Sequence, residues 1–130
     1  MFRGRKPPPP TEFEEAVRFA AVCKMHESKH PDLQFLFAVP NGGKRSKAAA
    51  GKAKAEGVKC GVPDYLFPKA MGGYMGLVIE LKRVKGGQVS ADQNKFINHF
   101  AGEGWMVVVA KGWVEAWDAV KFYLNLGAKK

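Results

Sequence analysis

The chain has little cysteine: Cys23 and Cys60 are the two in 130 residues. A pair this sparse makes no disulfide scaffold, and neither sits in a C-x-x-C, so a cysteine zinc site is excluded and a reduced, cytoplasmic setting fits. No apolar run approaches the length of a membrane span. The opening "MFRGRKPPPP" is basic but carries no apolar stretch, so it does not read as a signal peptide. Negative charge is also scarce, with 12 Asp+Glu against 21 Lys+Arg and a formal net charge of +9. Such an excess favours a polyanionic partner, nucleic acid before a membrane surface, because no long basic amphipathic helix stands out. With 46% hydrophobic residues, the chain can bury a core in one domain.

Residues 1–10 read as a flexible basic, proline-rich arm, and 11–130 as a single domain. Thr11 and Glu14 form a capping box, and Phe13, Ala16, Val17, Ala20 and Ala21 recur at helical spacing, which predicts a helix over 12–28. "LQFLFAV" (33–39) is a candidate strand, "PNGG" a turn, and 44–56 a second helix closed by Gly57. Strands are expected at 63–67 and 74–82. Ser90 caps a third helix whose apolar face is Phe96, Ile97 and Phe100. "WMVVVA" reads as a buried strand of the kind found centrally in α/β sheets, and 114–126 as a closing helix. The order is α, β, α, β, β, α, β, α, an α/β domain with helices flanking the sheet.

Two of these apolar strands carry charge. Glu80 and Lys82 lie two residues apart, so they share one face of their strand, while Ile79 and Leu81 face the other way. A carboxylate and an ammonium on a dry face are costly. Asp64 begins the preceding strand, and a hairpin of 63–67 with 74–82 brings it near Glu80. Two adjacent carboxylates repel, and a divalent cation between them removes the penalty. A nearby lysine can orient an attacking water and offset charge in a phosphoryl transition state. Asp64, Glu80 and Lys82 in a basic protein therefore describe metal-assisted phosphodiester hydrolysis; the plainer alternative is a surface ion pair.

Pro63-Asp64 followed by Glu80-Leu81-Lys82 looks like the signature of the P-D…(D/E)-x-K nucleases. More narrowly, "FAVPNGGKRSKAAAGKAKAEGVKCGVPDYLFP" and "GLVIELKRVKGGQVSADQ" closely resemble the VRR-NUC family, over roughly residues 11 to 125. The resemblance implies a restriction-endonuclease-like core with a mixed central sheet, and a Mg²⁺- or Mn²⁺-dependent DNA endonuclease. It implies Asp64, Glu80 and the Leu81 carbonyl as metal ligands, Lys82 as the catalytic lysine and Gln93 as an accessory residue. A glutamate at the start of the first helix maps to Glu12, with Glu15 as the alternative. Small stand-alone members resemble dimeric resolvases of branched DNA such as Holliday junctions, so a homodimer is expected.

Gln93 also has a plain role as the capping-box partner of Ser90, and Glu12 as a first-turn acid. Lys44, Arg45, Lys47, Lys52 and Lys54, with Asn41 in the turn before them, form a one-sign cluster that fits phosphate contacts. "GGKRSKAAAGK" is not a Walker loop, since Ala53 replaces its Ser/Thr. "HESKH" (26–30) matches the zinc-protease pattern H-E-x-x-H, but Pro31 pushes His30 out of helical geometry. Trp113, Trp117, Phe122 and Tyr123 on the last helix are candidate dimer-interface residues, or else rings that cover the sheet. The rival functions are a non-catalytic DNA-binding module on the same fold and, more remotely, a zinc metalloprotease.

Overall fold

A computed structural model describes residues 4, 6–40 and 46–127. Helix α1 (Glu12–Met25) opens with the expected capping box, Thr11 and Glu14 each accepting the other's backbone N–H. It stops at Met25, short of residue 28, and His26 caps it. Its buried stripe is Glu15, Phe19 and Cys23, not the expected Phe13, Val17, Ala20 face, and Phe13 and Val17 are exposed. Apolar residues on α1 recur at helical spacing on more than one stripe, and tertiary packing selects the one centred on Phe19.

The expected strand 33–39 is mostly a 3₁₀ helix, Pro31–Phe35, followed by a two-residue strand β1 (Phe37–Ala38). Pro31 sits in its first turn, where a fixed φ and a missing N–H cost nothing, and the turn buries Leu33. Helix α2 (Lys47–Ala55) is capped by Ser46 and buries only Ala53. It ends at Gly57, φ +99°, where Val58 N–H returns to the Ala53 carbonyl. Strands β2 (Tyr65–Phe67) and β3 (Leu77–Lys82) form an antiparallel hairpin. Met71 and Tyr74 bridge around Gly72-Gly73, whose positive φ values suit a tight hairpin turn. Helix α3 (Ala91–Gly102) then crosses to β4 (Met106–Lys111), parallel to β3, and α4 (Trp113–Asn125) closes the fold.

The mixed four-stranded sheet has the order β1-β2-β3-β4 among the described residues. The central position expected for β4 is therefore wrong: β3 is the strand buried at every residue, and β4 is an edge. The apolar character of β4 reflects α3 and α4 packing on it. Leu77, Ile79 and Leu81 face the core with Phe19, Val120 and Tyr123, so α1 and α4 cover that face. Trp117 and Tyr123 belong to this core and Trp113 packs against it, so these rings cover the sheet; Phe122 alone of the four is largely exposed. Four aromatic rings at helical spacing read as surplus only when the breadth of the covered face is unknown.

Gly112 starts α4 without a side-chain cap. The Glu15 carboxylate, 3% exposed, reaches across from α1 and accepts the Trp113 N–H at 2.9 Å. It satisfies a donor that the helix start leaves orphaned and places negative charge at the positive end of α4. Glu15→Ala is expected to lower the unfolding free energy by about 1–3 kcal/mol, read as a fall in the urea midpoint. An unchanged midpoint would show that this contact does not hold α1 to α4.

Candidate active site

On β3, Val78, Glu80 and Lys82 alternate away from the α1/α4 core toward α3. Glu80 is 1% exposed and Lys82 6%. Lys82 Nζ lies 3.3 Å from Glu80 Oε2. Gln93 on α3 donates from Nε2 to the same oxygen at 2.9 Å, while its Oε1 accepts the Ser90 N–H at 2.8 Å. One carboxamide therefore both completes the capping box and contacts the buried acid.

Asp64 stands one residue before β2. The register pairs Tyr65 with Ile79, which sets Asp64 level with Glu80. Asp64 Oδ2 accepts the Leu81 N–H at 2.7 Å, and its carbonyl accepts from Val39 at 2.8 Å. The carbonyl of a strand residue points to the same side as its N–H, so the Leu81 carbonyl faces the Asp64 side. Approach to Asp64 depends on Gly61, φ +87°: a Cβ there would stand 2.5 Å from the Asp92 backbone at the start of α3.

Burial first, and then the charge of and hydrogen bond with the neighbouring Asp64, push the Glu80 carboxyl up to about 8 against the opposing pull of Lys82. Glu80 Oε1 is buried, and no side-chain or backbone donor among the described residues reaches it. A hard divalent cation fits this donor set, since it would satisfy Oε1 and the repulsion between the two acids. Asp64, Glu80 and the Leu81 carbonyl are the groups that could hold one. No cluster of three or more His, Cys, Asp or Glu with metal-holding geometry exists among the described residues. Mg²⁺ needs few carboxylates and takes its other ligands from water and phosphate.

Glu12 and Glu15 separate. Glu12 lines a hollow of about 440 Å³ that Asp64 and Leu81 also line. Glu15 is engaged at α4, away from that hollow. Lys47, Lys52 and Lys54 are all exposed on α2; Asn41, Lys44 and Arg45 lie outside the described residues. The HESKH histidines do not lie on a helix: α1 ends before His26, whose Nδ1 lies 2.8 Å from the Val22 carbonyl and whose ring rests on Trp117, and His30 stands at φ −129°, ψ 81°. That geometry removes the zinc-protease reading. Burial pushes the Cys23 thiol up to about 12, so it is no nucleophile at neutral pH. The apolar walls of the hollow, Phe13, Val39 and Pro40, carried no signal in the sequence, because apolar residues at regular spacing read as core.

The VRR-NUC domain profile matches residues 13–113. A solved structure described as a "VRR_NUC domain protein" is similar at 30% identity and a TM-score of 0.79, covering 92% of this chain and 93% of that one. No curated protein matches the chain in sequence.

The raised Glu80 carboxyl sets a pH dependence. Between about 4.5, its ordinary value, and about 8, the folded chain keeps a proton that the unfolded chain releases. Stability without metal is expected to fall as pH rises through that window, on the order of 1 kcal/mol per pH unit. Glu80→Gln should flatten the fall, measured by thermal unfolding in EDTA. A wild-type profile no steeper than that of Glu80→Gln would contradict the burial argument.

Proposed function

The chain belongs to the VRR-NUC domain family, which is of nuclease type, and from that premise we propose that it is a Mg²⁺- or Mn²⁺-dependent DNA endonuclease acting on branched DNA as a homodimer. The observation that carries the reading is the buried Glu80, paired with Lys82 and Gln93 and set beside a second acid, Asp64, with one oxygen that no donor among the described residues reaches. A non-catalytic binding module would gain nothing from two acids set where they repel both each other and a phosphate backbone.

A cation held by Asp64, Glu80 and the Leu81 carbonyl would supply Lewis-acid stabilisation to the phosphodiester. Lys82 orients the attacking water and offsets charge developing on the phosphate. Gln93 fixes the Glu80 carboxylate by its hydrogen bond. Lys47, Lys52 and Lys54 present ammonium groups to the DNA backbone without reading sequence. One site cuts one strand, so two symmetric nicks in a four-way junction call for two copies related by a two-fold axis. Among the aromatics of α4, Phe122 is the ring exposed enough to meet a second copy.

The test is cleavage of plasmid and four-way-junction DNA with Mg²⁺, Mn²⁺ or EDTA. Metal-dependent, paired nicks are expected from the wild type. Lys82→Ala should lower the rate by about 100- to 10,000-fold while leaving fold and metal binding intact. Near wild-type cleavage by Lys82→Ala would remove the assignment.

Replacing Lys47, Lys52 and Lys54 together by alanine should weaken DNA binding regardless of sequence. The slope of log affinity against log salt should flatten by about one unit per lysine. An unchanged slope would mean that α2 faces away from the DNA.

A further inference from the structure

We propose that the hollow beside Asp64 is a nucleobase subsite in which an unstacked base next to the scissile phosphate lies against the Phe13 ring; this rests on the nuclease reading above. The hollow holds about 440 Å³, within the range of small-ligand sites. Its walls come from Phe13 and Ala16 on α1 and from Val39 and Pro40 after β1, and its inner edge is formed by Asp64 and Leu81. A group seated there therefore adjoins Asp64 and the Leu81 backbone, while Glu80 and Lys82 stay outside the hollow on the α3 side of β3. The hollow is mainly apolar in a chain of net charge +9, a pairing that suits a ligand with a flat apolar part and a charged backbone.

Phe13 is 76% exposed, one residue from Glu12. The buried stripe of α1 is centred on Phe19 and leaves Phe13 out, so the ring contributes little to the core. Its face is available to a planar partner. Base–aromatic stacking tolerates any sequence, because every base has a π-face. A base within continuous duplex is stacked between its neighbours and cannot enter, whereas a base at a branch point, flap or splayed arm can. The subsite would thus give the site a preference for branched DNA through the cost of unstacking rather than through base-edge contacts.

The competing occupant is a second copy of this chain, since Val17 and Phe37 are also exposed apolar residues. The experiment is a cycle with two changes: Phe13→Ala in the protein, and an abasic residue placed in turn at each nucleotide flanking the branch of a junction. Binding is read by fluorescence anisotropy with Ca²⁺, and cleavage with Mn²⁺. At one position the abasic change should weaken wild-type binding by about tenfold. Phe13→Ala should lose the same factor on intact DNA and nothing more on the abasic DNA. Phe13→Trp should retain wild-type affinity, which separates stacking from misfolding. Equal wild-type affinity for intact and abasic DNA at every position would overturn the proposal, as would independent, multiplying losses. A dimer by light scattering that becomes a monomer in Phe13→Ala would also overturn it, by assigning the ring to a copy interface. Coupled losses in binding by a chain that cuts nothing would keep the subsite and remove the nuclease reading. Absence of any binding to branched DNA would remove the subsite.

Discussion

A carboxylate taken out of water is the constraint around which this fold is arranged. Glu80 sits on the one strand buried throughout, and removing an ion from solvent costs several kcal/mol unless it is matched. Lys82 and Gln93 match one oxygen only. Asp64, which might have been kept away, is instead brought level with it by the Gly72-Gly73 turn and by the β2–β3 register. Gly61 lets the Asp64 approach pass against α3, and α3 is capped by the glutamine that reaches Glu80. In the free protein the buried Glu80 carboxyl keeps a proton at neutral pH and so avoids a second negative charge beside Asp64.

The supports of this site lie away from the chemistry. Glu15 fastens α1 to the start of α4, and α4 packs on the face of the sheet opposite Glu80. Gly112 N–H bonds the Lys82 carbonyl, so the same junction steadies the end of β3. By contrast, α2 is nine residues long with one buried side chain, too short to be stable by propensity alone. The acidic centre is thus held by several packed elements, whereas the basic helix α2 is lightly held.

Much of this was legible in the sequence, because it is written in local rules. The element order, the shared face of Glu80 and Lys82 and the capping boxes of Thr11 and Ser90 follow from periodicity and side-chain hydrogen bonding over three residues. The misses required tertiary information. The stripe of α1 that is buried depends on what α4 presents to it. The run Met106–Lys111 reads as central by composition, yet lies at an edge because helices cover it. In residues 31–35, proline at the first turn outweighed apolar residues that read as strand.

The central claim is that Asp64 and Glu80 hold a divalent cation. With its carboxyl near 8, Glu80 carries a proton at pH 7 that a cation must displace. Titration calorimetry of Mn²⁺ into the protein at pH 7, in buffers of different ionisation enthalpy, measures that proton directly. The account requires the release of close to one proton per cation bound, and none from Glu80→Gln. Binding without proton release in the wild type, or the same release from both proteins, would contradict it.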